Sequence, residues 1–171
     1  MSNSLLINAA ELLRRPGSER RLTLEPTVAE LGIVDPKFDS ASTVRVSLRL
    51  ESLTDGIIVD GQLRAPWSDS CRRCLASAGG DVVCDVHELY QHVVVDPDAF
   101  EIVGDQIDLA RMIRENILLD APIAPLCRPD CAGLCPTCGI DLNTGNCDCV
   151  SATIDPRWDA LSQLKANLPE Q

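Results

Sequence analysis

The stretch CRPDCAGLCPTCGIDLNTGNCDC, from Cys127 to Cys149, holds six cysteines. Thiols this dense leave a chain three options: disulfides, a bound metal, or thiol chemistry. The amino-terminal MSNSLLINAAELLRR lacks the basic start and long apolar stretch of a secretory signal. No run approaches the length that spans a bilayer. These features predict a cytoplasmic chain without a membrane partner, where thiols stay reduced. The total of nine cysteines is odd, which also argues against full pairing.

Closely spaced thiolates in a reducing compartment suit zinc, which takes four tetrahedral ligands and brings no redox chemistry. The strongest signal is Cys135-Pro136-Thr137-Cys138-Gly139. Two residues between cysteines let both sulfurs reach one ion, and Gly139 can take a positive φ. Asn143-Thr144-Gly145 is a reversal signal that folds Cys147 and Cys149 back onto the first pair. The expectation is a small ribbon with one structural zinc. Cys135 and Cys138 supply two ligands, and Cys127, Cys131, Cys147 and Cys149 are candidates for the other two. A two-zinc cluster with shared thiolates is the less economical alternative. An iron–sulfur cluster is the chemical rival, but its usual spacings are not matched. A four-thiolate site is closed to water once filled, so it reads as a staple for a segment too short to fold alone.

Cys71-Arg72-Arg73-Cys74 is a second two-spaced pair with three readings. It is a redox dithiol, its thiol pKa lowered by the arginines. It is a separate metal-ligand pair, joined by Cys84 and then His87. Or it is a structural turn with buried thiols. A thioredoxin-like dithiol opens a helix after a strand in a parallel sheet, whereas the surroundings here read as antiparallel strands. His87 and His92, the only histidines, are an odd number of residues apart, so on a strand they face opposite sides and cannot chelate together.

The net charge of −11 is unevenly placed. Residues 1–75 hold 10 basic and 10 acidic side chains; residues 76–171 hold 5 and 16. Phosphate contacts need Lys or Arg to displace counterions. The acidic half therefore repels nucleic acid and favours a basic protein partner, and there is no base-reading helix for DNA. RNA contacts fall to Arg14, Arg15, Arg20, Arg21, Arg45, Arg49, Arg64, Arg72 and Arg73, whose bland reading is solvated surface charge.

The pattern predicts an α+β fold: an antiparallel sheet or small open barrel with packed helices and a C-terminal zinc-ribbon-like cysteine cluster. Leu5–Ile7 and RLTLE read as short strands flanking a brief helix, AAELLRR, capped by Asn8 and stopped by Pro16-Gly17. TVRVSLRLE alternates cleanly, IIVDGQLRA follows a Thr54-Asp55-Gly56 turn, and DVVCDVHELYQHVVV is a long third strand. IDLARMIRENILLDAP is a helix capped by Asp108, with Leu109, Met112, Ile113, Asn116 and Ile117 on one side, an apolar stripe apart from Asn116. A last helix starts at Asp155-Pro156, with Trp158, Leu161, Leu164 and Leu168 as its stripe. The expected divisions are an α+β domain at 1–122, the cysteine-rich segment at 123–150, and the docked helix at 151–171.

Tests for GxSxG, GxxxxGK[ST], HExxH and GxGxxG come back empty. Three stretches taken in order do carry a likeness: CRRCL after a β-rich half; IDLARMIRENILLDAPIAPLC; and CAGLCPTCGIDLN…CDC followed by IDPRWDAL. Across residues 40–168 the chain resembles the YceD family of large ribosomal RNA subunit accumulation proteins. The resemblance implies a non-enzymatic bacterial cytosolic factor in ribosome assembly, with a ribosomal protein or ribosomal RNA as its partner. Some members of that family lack the C-terminal cysteines. The ribbon is then a support for fold or docking, and no cysteine is assigned catalysis. The weighed alternatives are a thiol–disulfide oxidoreductase using Cys71 and Cys74, and a generic zinc-dependent interaction module.

Overall fold

The computed structural model describes residues 5–149. The expected helix at 155–168 lies outside the described residues. In chain order come β1 (Leu6–Asn8), α1 (Ala10–Leu13), β2 (Glu19–Leu24), β3 (Arg45–Ser52), β4 (Gly56–Ser70), β5 (Ser77–Gln91), β6 (Phe100–Glu101), β7 (Gln106–Asp108) and α2 (Leu109–Asp120). The main sheet has five strands in the order β2-β3-β4-β5-β6 and stays open; β1 and β7 form a separate antiparallel pair. Only β5 and β6 pair in parallel within the main sheet.

Alternation along the strands selects the buried face. Val46, Leu48 and Leu50 of β3, Ile57, Val59, Leu63 and Ala65 of β4, and Val82, Cys84, Val86 and Tyr90 of β5 are all buried. Leu109, Met112, Ile113 and Ile117 of α2 close over them in one core. Gly61 sits mid-strand between Leu48 and Val86. A Cβ there would lie 2.1 Å from the Ser47 carbonyl oxygen, so only glycine lets β3 approach so closely. On the opposite face the polar side chains pair across strands. Arg49 meets Glu19 at 2.8 Å, Arg64 meets Asp81 at 3.2 Å, and Gln62 donates to Asp85 at 3.1 Å.

Several boundaries differ from the pattern. The β4–β5 hairpin runs past the expected ends, through Pro66 and Trp67, to a last pair Ser70–Ser77. Proline is tolerated there because the β3 ladder ends at the Arg45–Arg64 pair, so Pro66 lies on an edge with β5 as its one paired strand. At the other end β5 stops at Gln91, and Val93 and Val95 are exposed beyond it. α1 is one short turn starting after Ala9; Asn8 still accepts from the Ala10 N–H at 3.0 Å. α2 begins where its cap dictates: the Asp108 carboxylate accepts the Ala110 N–H at 2.9 Å. As expected, Asn116 interrupts the apolar stripe. It donates to Glu88 at 2.9 Å and to the Met112 carbonyl at 3.1 Å. No described helix is long and apolar enough to cross a membrane.

Candidate metal centres

Eight of the nine cysteines gather into two quartets. The first is Cys71, Cys74, Cys127 and Cys131; the second is Cys135, Cys138, Cys147 and Cys149. Within each, the four sulfurs lie within 4.8 Å of one another.

The first quartet joins two distant parts of the chain. Cys71 and Cys74 occupy the tip of the β4–β5 hairpin. The Cys71 N–H bonds the Ala76 carbonyl at 2.7 Å, and the Leu75 N–H bonds the Cys71 carbonyl at 2.9 Å. Leu75 takes φ 62°, the left-handed position that lets the knuckle close. Cys127 and Cys131 arrive on the segment leaving α2, which is pinned to the knuckle by the Arg72 N–H to Pro125 at 2.9 Å and the Leu134 N–H to Arg73 at 3.0 Å. Gly133, at φ 80°, passes so close to the knuckle that a Cβ would sit 3.1 Å from the Arg73 carbonyl oxygen. The Arg73 guanidinium donates to the Cys131 carbonyl at 2.8 Å. Trp67, Leu126 and Leu134 pack on the sulfurs in a small apolar cluster, which Trp67 links to the main core.

The second quartet is a short ribbon. Leu134 and Asp141 form a bridge, the Cys135 N–H bonds Ile140 at 2.9 Å, and the Gly139 N–H bonds Cys135 at 2.9 Å. Gly139 has φ 75°, as its knuckle requires. The chain turns at Asp141–Gly145, where the Gly145 N–H bonds the Asp141 carbonyl at 2.9 Å. This quartet is more open, with Cys138 and Cys149 exposed.

The sulfur spacing fits a metal and not a disulfide. Cys71 and Cys131 are 3.8 Å apart, and Cys74 and Cys127 are 3.5 Å apart. A disulfide needs about 2.05 Å. Four sulfurs on a tetrahedral zinc with bonds near ~2.3 Å stand about 3.8 Å from each other. Backbone N–H groups already point at the sulfurs, from Arg73 to Cys71 at 3.4 Å and from Thr137 to Cys135 at 3.5 Å. Such bonds favour the charged thiolate. Led by the backbone N–H of Cys74, they hold the Cys71 thiol down at about 6. The Cys138 N–H leads the same effect on Cys135, also at about 6. Their neighbours move the other way. Hydrogen bonding to Cys74 pushes Cys127 up to about 12, and hydrogen bonding to Cys138 pushes Cys149 up to about 12. One thiolate in a quartet discourages the next until a cation balances them. Each quartet can therefore hold one metal ion.

The expectation of one ion drawn from the six C-terminal cysteines meets a different partition. Cys127 and Cys131 leave the ribbon and join Cys71 and Cys74. Cys84 and His87 do not complete that pair, because the β4–β5 ladder places them far along β5 from its tip. At ~3.3 Å per residue, Cys84 and His87 lie about 23 Å and 33 Å along β5 from Ser77. Cys84 is buried against α2, its thiol 3.6 Å from the Asn116 carbonyl. His87 is exposed and pairs with Asp60 at 2.6 Å. The redox reading keeps the lowered Cys71 thiol but loses its setting: the pair sits in an antiparallel hairpin, and Cys71 has no exposed surface.

The arginines divide. Arg49 and Arg64 are held in ion pairs and Arg73 serves the first quartet. Arg14, Arg15 and Arg20 line an open cleft of about 650 Å3 with Asn8, Glu11, Ser18 and Glu19.

An open sheet covered by one helix, with its hairpin tip and helix exit meeting at one thiol quartet and a short ribbon holding the other, defines a small α+β protein with two candidate metal centres. The chain belongs to the YceD family, described as large ribosomal RNA subunit accumulation protein YceD, whose model matches residues 59–165. An uncharacterized protein of Mycobacterium tuberculosis is 32% identical over 176 aligned positions, covering 96% of this chain and 83% of that one. A chloroplastic large ribosomal RNA subunit accumulation protein homologue of Arabidopsis thaliana is 30% identical, covering 94% of this chain and 67% of its own. A maize protein of the same description is 41% identical over 67 residues, covering 39% of this chain and 22% of its own. No solved structure matches.

Proposed function

We propose that this chain is a non-enzymatic cytoplasmic factor of a bacterial cell that supports accumulation of large-subunit ribosomal RNA. In this reading it acts by binding a basic ribosomal protein, with RNA as a secondary contact. The observation that carries it is the family match, whose span contains all eight quartet cysteines. The charge supports the choice of partner. Residues 76–171 hold 16 acidic and 5 basic side chains, a field that attracts a positively charged protein and repels bare RNA. Arg14, Arg15 and Arg20 supply the secondary RNA contact.

Zinc in each quartet has a structural role in this reading. Four thiolates fill its tetrahedral shell, and it supplies a cross-link without redox chemistry. Cys71, Cys74, Cys127 and Cys131 tie the hairpin tip to the exit of α2. Cys135, Cys138, Cys147 and Cys149 fix the ribbon that follows.

Affinity capture of the tagged chain from its own host, with sedimentation of ribosomal particles, tests the proposal. The expected result is co-purification of large-subunit proteins, and a deficit of large-subunit ribosomal RNA in cells lacking the chain. No enrichment of large-subunit components, together with normal ribosomal RNA in the deletion strain, refutes it. Elemental analysis of the purified chain should find two zinc ions.

A further inference from the structure

The two quartets are separated by only Ala132, Gly133 and Leu134. One side chain bridges them. Asn143 lies in the turn between Cys138 and Cys147, so it belongs to the loop that the second quartet closes. Its amide nitrogen is 3.5 Å from the Cys131 sulfur of the first quartet and 2.6 Å from Asp141 Oδ1. Its amide oxygen accepts from the Ala132 N–H at 2.8 Å and from the Arg128 guanidinium at 2.8 Å. Ala132 follows Cys131 directly and Arg128 follows Cys127, both ligand candidates of the first quartet. Next to it the Leu142 N–H bonds the Gly133 carbonyl at 2.9 Å.

We propose that Asn143 is a positioning residue that couples the two quartets, so that metal binding at one strengthens metal binding at the other. The inference rests on the reading that both quartets bind metal, and goes beyond it. An N–H aimed at a thiolate stabilises its charge and fixes its direction, and loss of such a contact typically costs 10–100-fold in metal affinity. Asn143 can hold that position only while its loop is ordered. With Cys147 and Cys149 tied to Cys135 and Cys138, the ordering cost has been met before Asn143 reaches Cys131. With the second quartet empty, the first must bear it. Linkage makes the effect reciprocal.

A turn-forming asparagine with no coupling role would make the same bonds to Asp141, so the test must read the metals separately. Native mass spectrometry of the full chain at half-saturating zinc is read against each quartet's own affinity, taken from the Cys138→Ser, Cys149→Ser double variant and from Cys74→Ser. Independent quartets give the one-zinc population those two affinities predict, one half where they are equal; coupled quartets give less, and a one-zinc population at or above that prediction overturns the proposal. Zinc release to a chromogenic chelator is the second measurement. Replacing Cys138 and Cys149 together by serine should speed release from the first quartet about tenfold. Asn143→Asp keeps all eight thiols and an acceptor for Ala132, but turns an oxygen toward the Cys131 sulfur. It should speed first-quartet release by a similar factor, with no further gain in the combined variant. First-quartet release within about twofold of the parent in the serine variant, or additive effects in the combined one, refutes the coupling. A wild-type chain that takes up no zinc fails at the earlier step, the metal reading itself.

Discussion

Breaking the first quartet should loosen the whole fold, by an amount that chain topology sets. Cys74 and Cys127 are 53 residues apart, and between them lie all of β5, β6, β7 and α2. A cross-link over a loop of that length removes about 14 cal/mol/K of unfolded-chain entropy, or about 4 kcal/mol at 25 °C. That relation was framed for disulfides, but loop closure is indifferent to what closes it. For a chain of this size each kcal/mol moves the melting midpoint by about 2–4 °C. Cys74→Ser, or removal of metal by a strong chelator, should therefore lower the midpoint by about 8–16 °C. Differential scanning calorimetry on the wild type, with and without chelator, and on Cys74→Ser, reads this directly. Cys138→Ser is the control. It opens the ribbon, whose residues lie outside the main core, and reaches the first quartet only through the coupling: a tenfold loss of affinity there, about 1.4 kcal/mol, should lower the principal transition by no more than about 6 °C, with an early, low-enthalpy melt of the ribbon. If Cys74→Ser and the chelated wild type both melt with the untreated protein, the hairpin tip is not stapled and the reasoning fails.

Three further outcomes follow from the core and its caps. Gly61→Ala should destabilise by about 2–4 kcal/mol in urea titrations, since its Cβ would press on the Ser47 carbonyl at 2.1 Å; a cost under about 1 kcal/mol would show that β3 and β4 can part there. Asp108→Ala should cost about 1 kcal/mol through loss of the Ala110 N–H contact, read by the same titration, and an unchanged midpoint would remove that contact from the account. Burial pushes the Cys84 thiol from 9.0 up to about 12, so between those values the unfolded chain sheds a proton that the folded chain keeps. Stability from this group is complete below that window and falls as pH rises through it; the zinc-loaded wild type should lose stability faster than Cys84→Ala from about pH 9 to pH 11, and parallel curves would contradict the burial.

Chemistry and local pattern were legible in the residues alone. The Asp108 cap, the α2 stripe through Leu109, Met112, Ile113 and Ile117, and the alternation of Val46, Leu48 and Leu50 each depend on a few neighbours along the chain. The Cys135–Cys138 knuckle and its return to Cys147 and Cys149 are likewise a matter of short loops. Missed were β6 and β7, which span Phe100–Glu101 and Gln106–Asp108. Strands that short show no period; they exist because β5 and β1 offer them edges.

What the sequence determined by itself was that the cysteines cluster, that reduced thiols at those spacings suit a metal, and which faces of the strands and of α2 turn inward. Which cysteine joins which quartet was decided only in three dimensions. Cys127 and Cys131 stand nearer along the chain to Cys135 than to Cys71 or Cys74, so spacing alone leaves them candidates for the ribbon's ion beside Cys147 and Cys149. The long β4–β5 ladder carries Cys71 and Cys74 to the place where α2 ends, and at that point distance in space replaces distance along the chain.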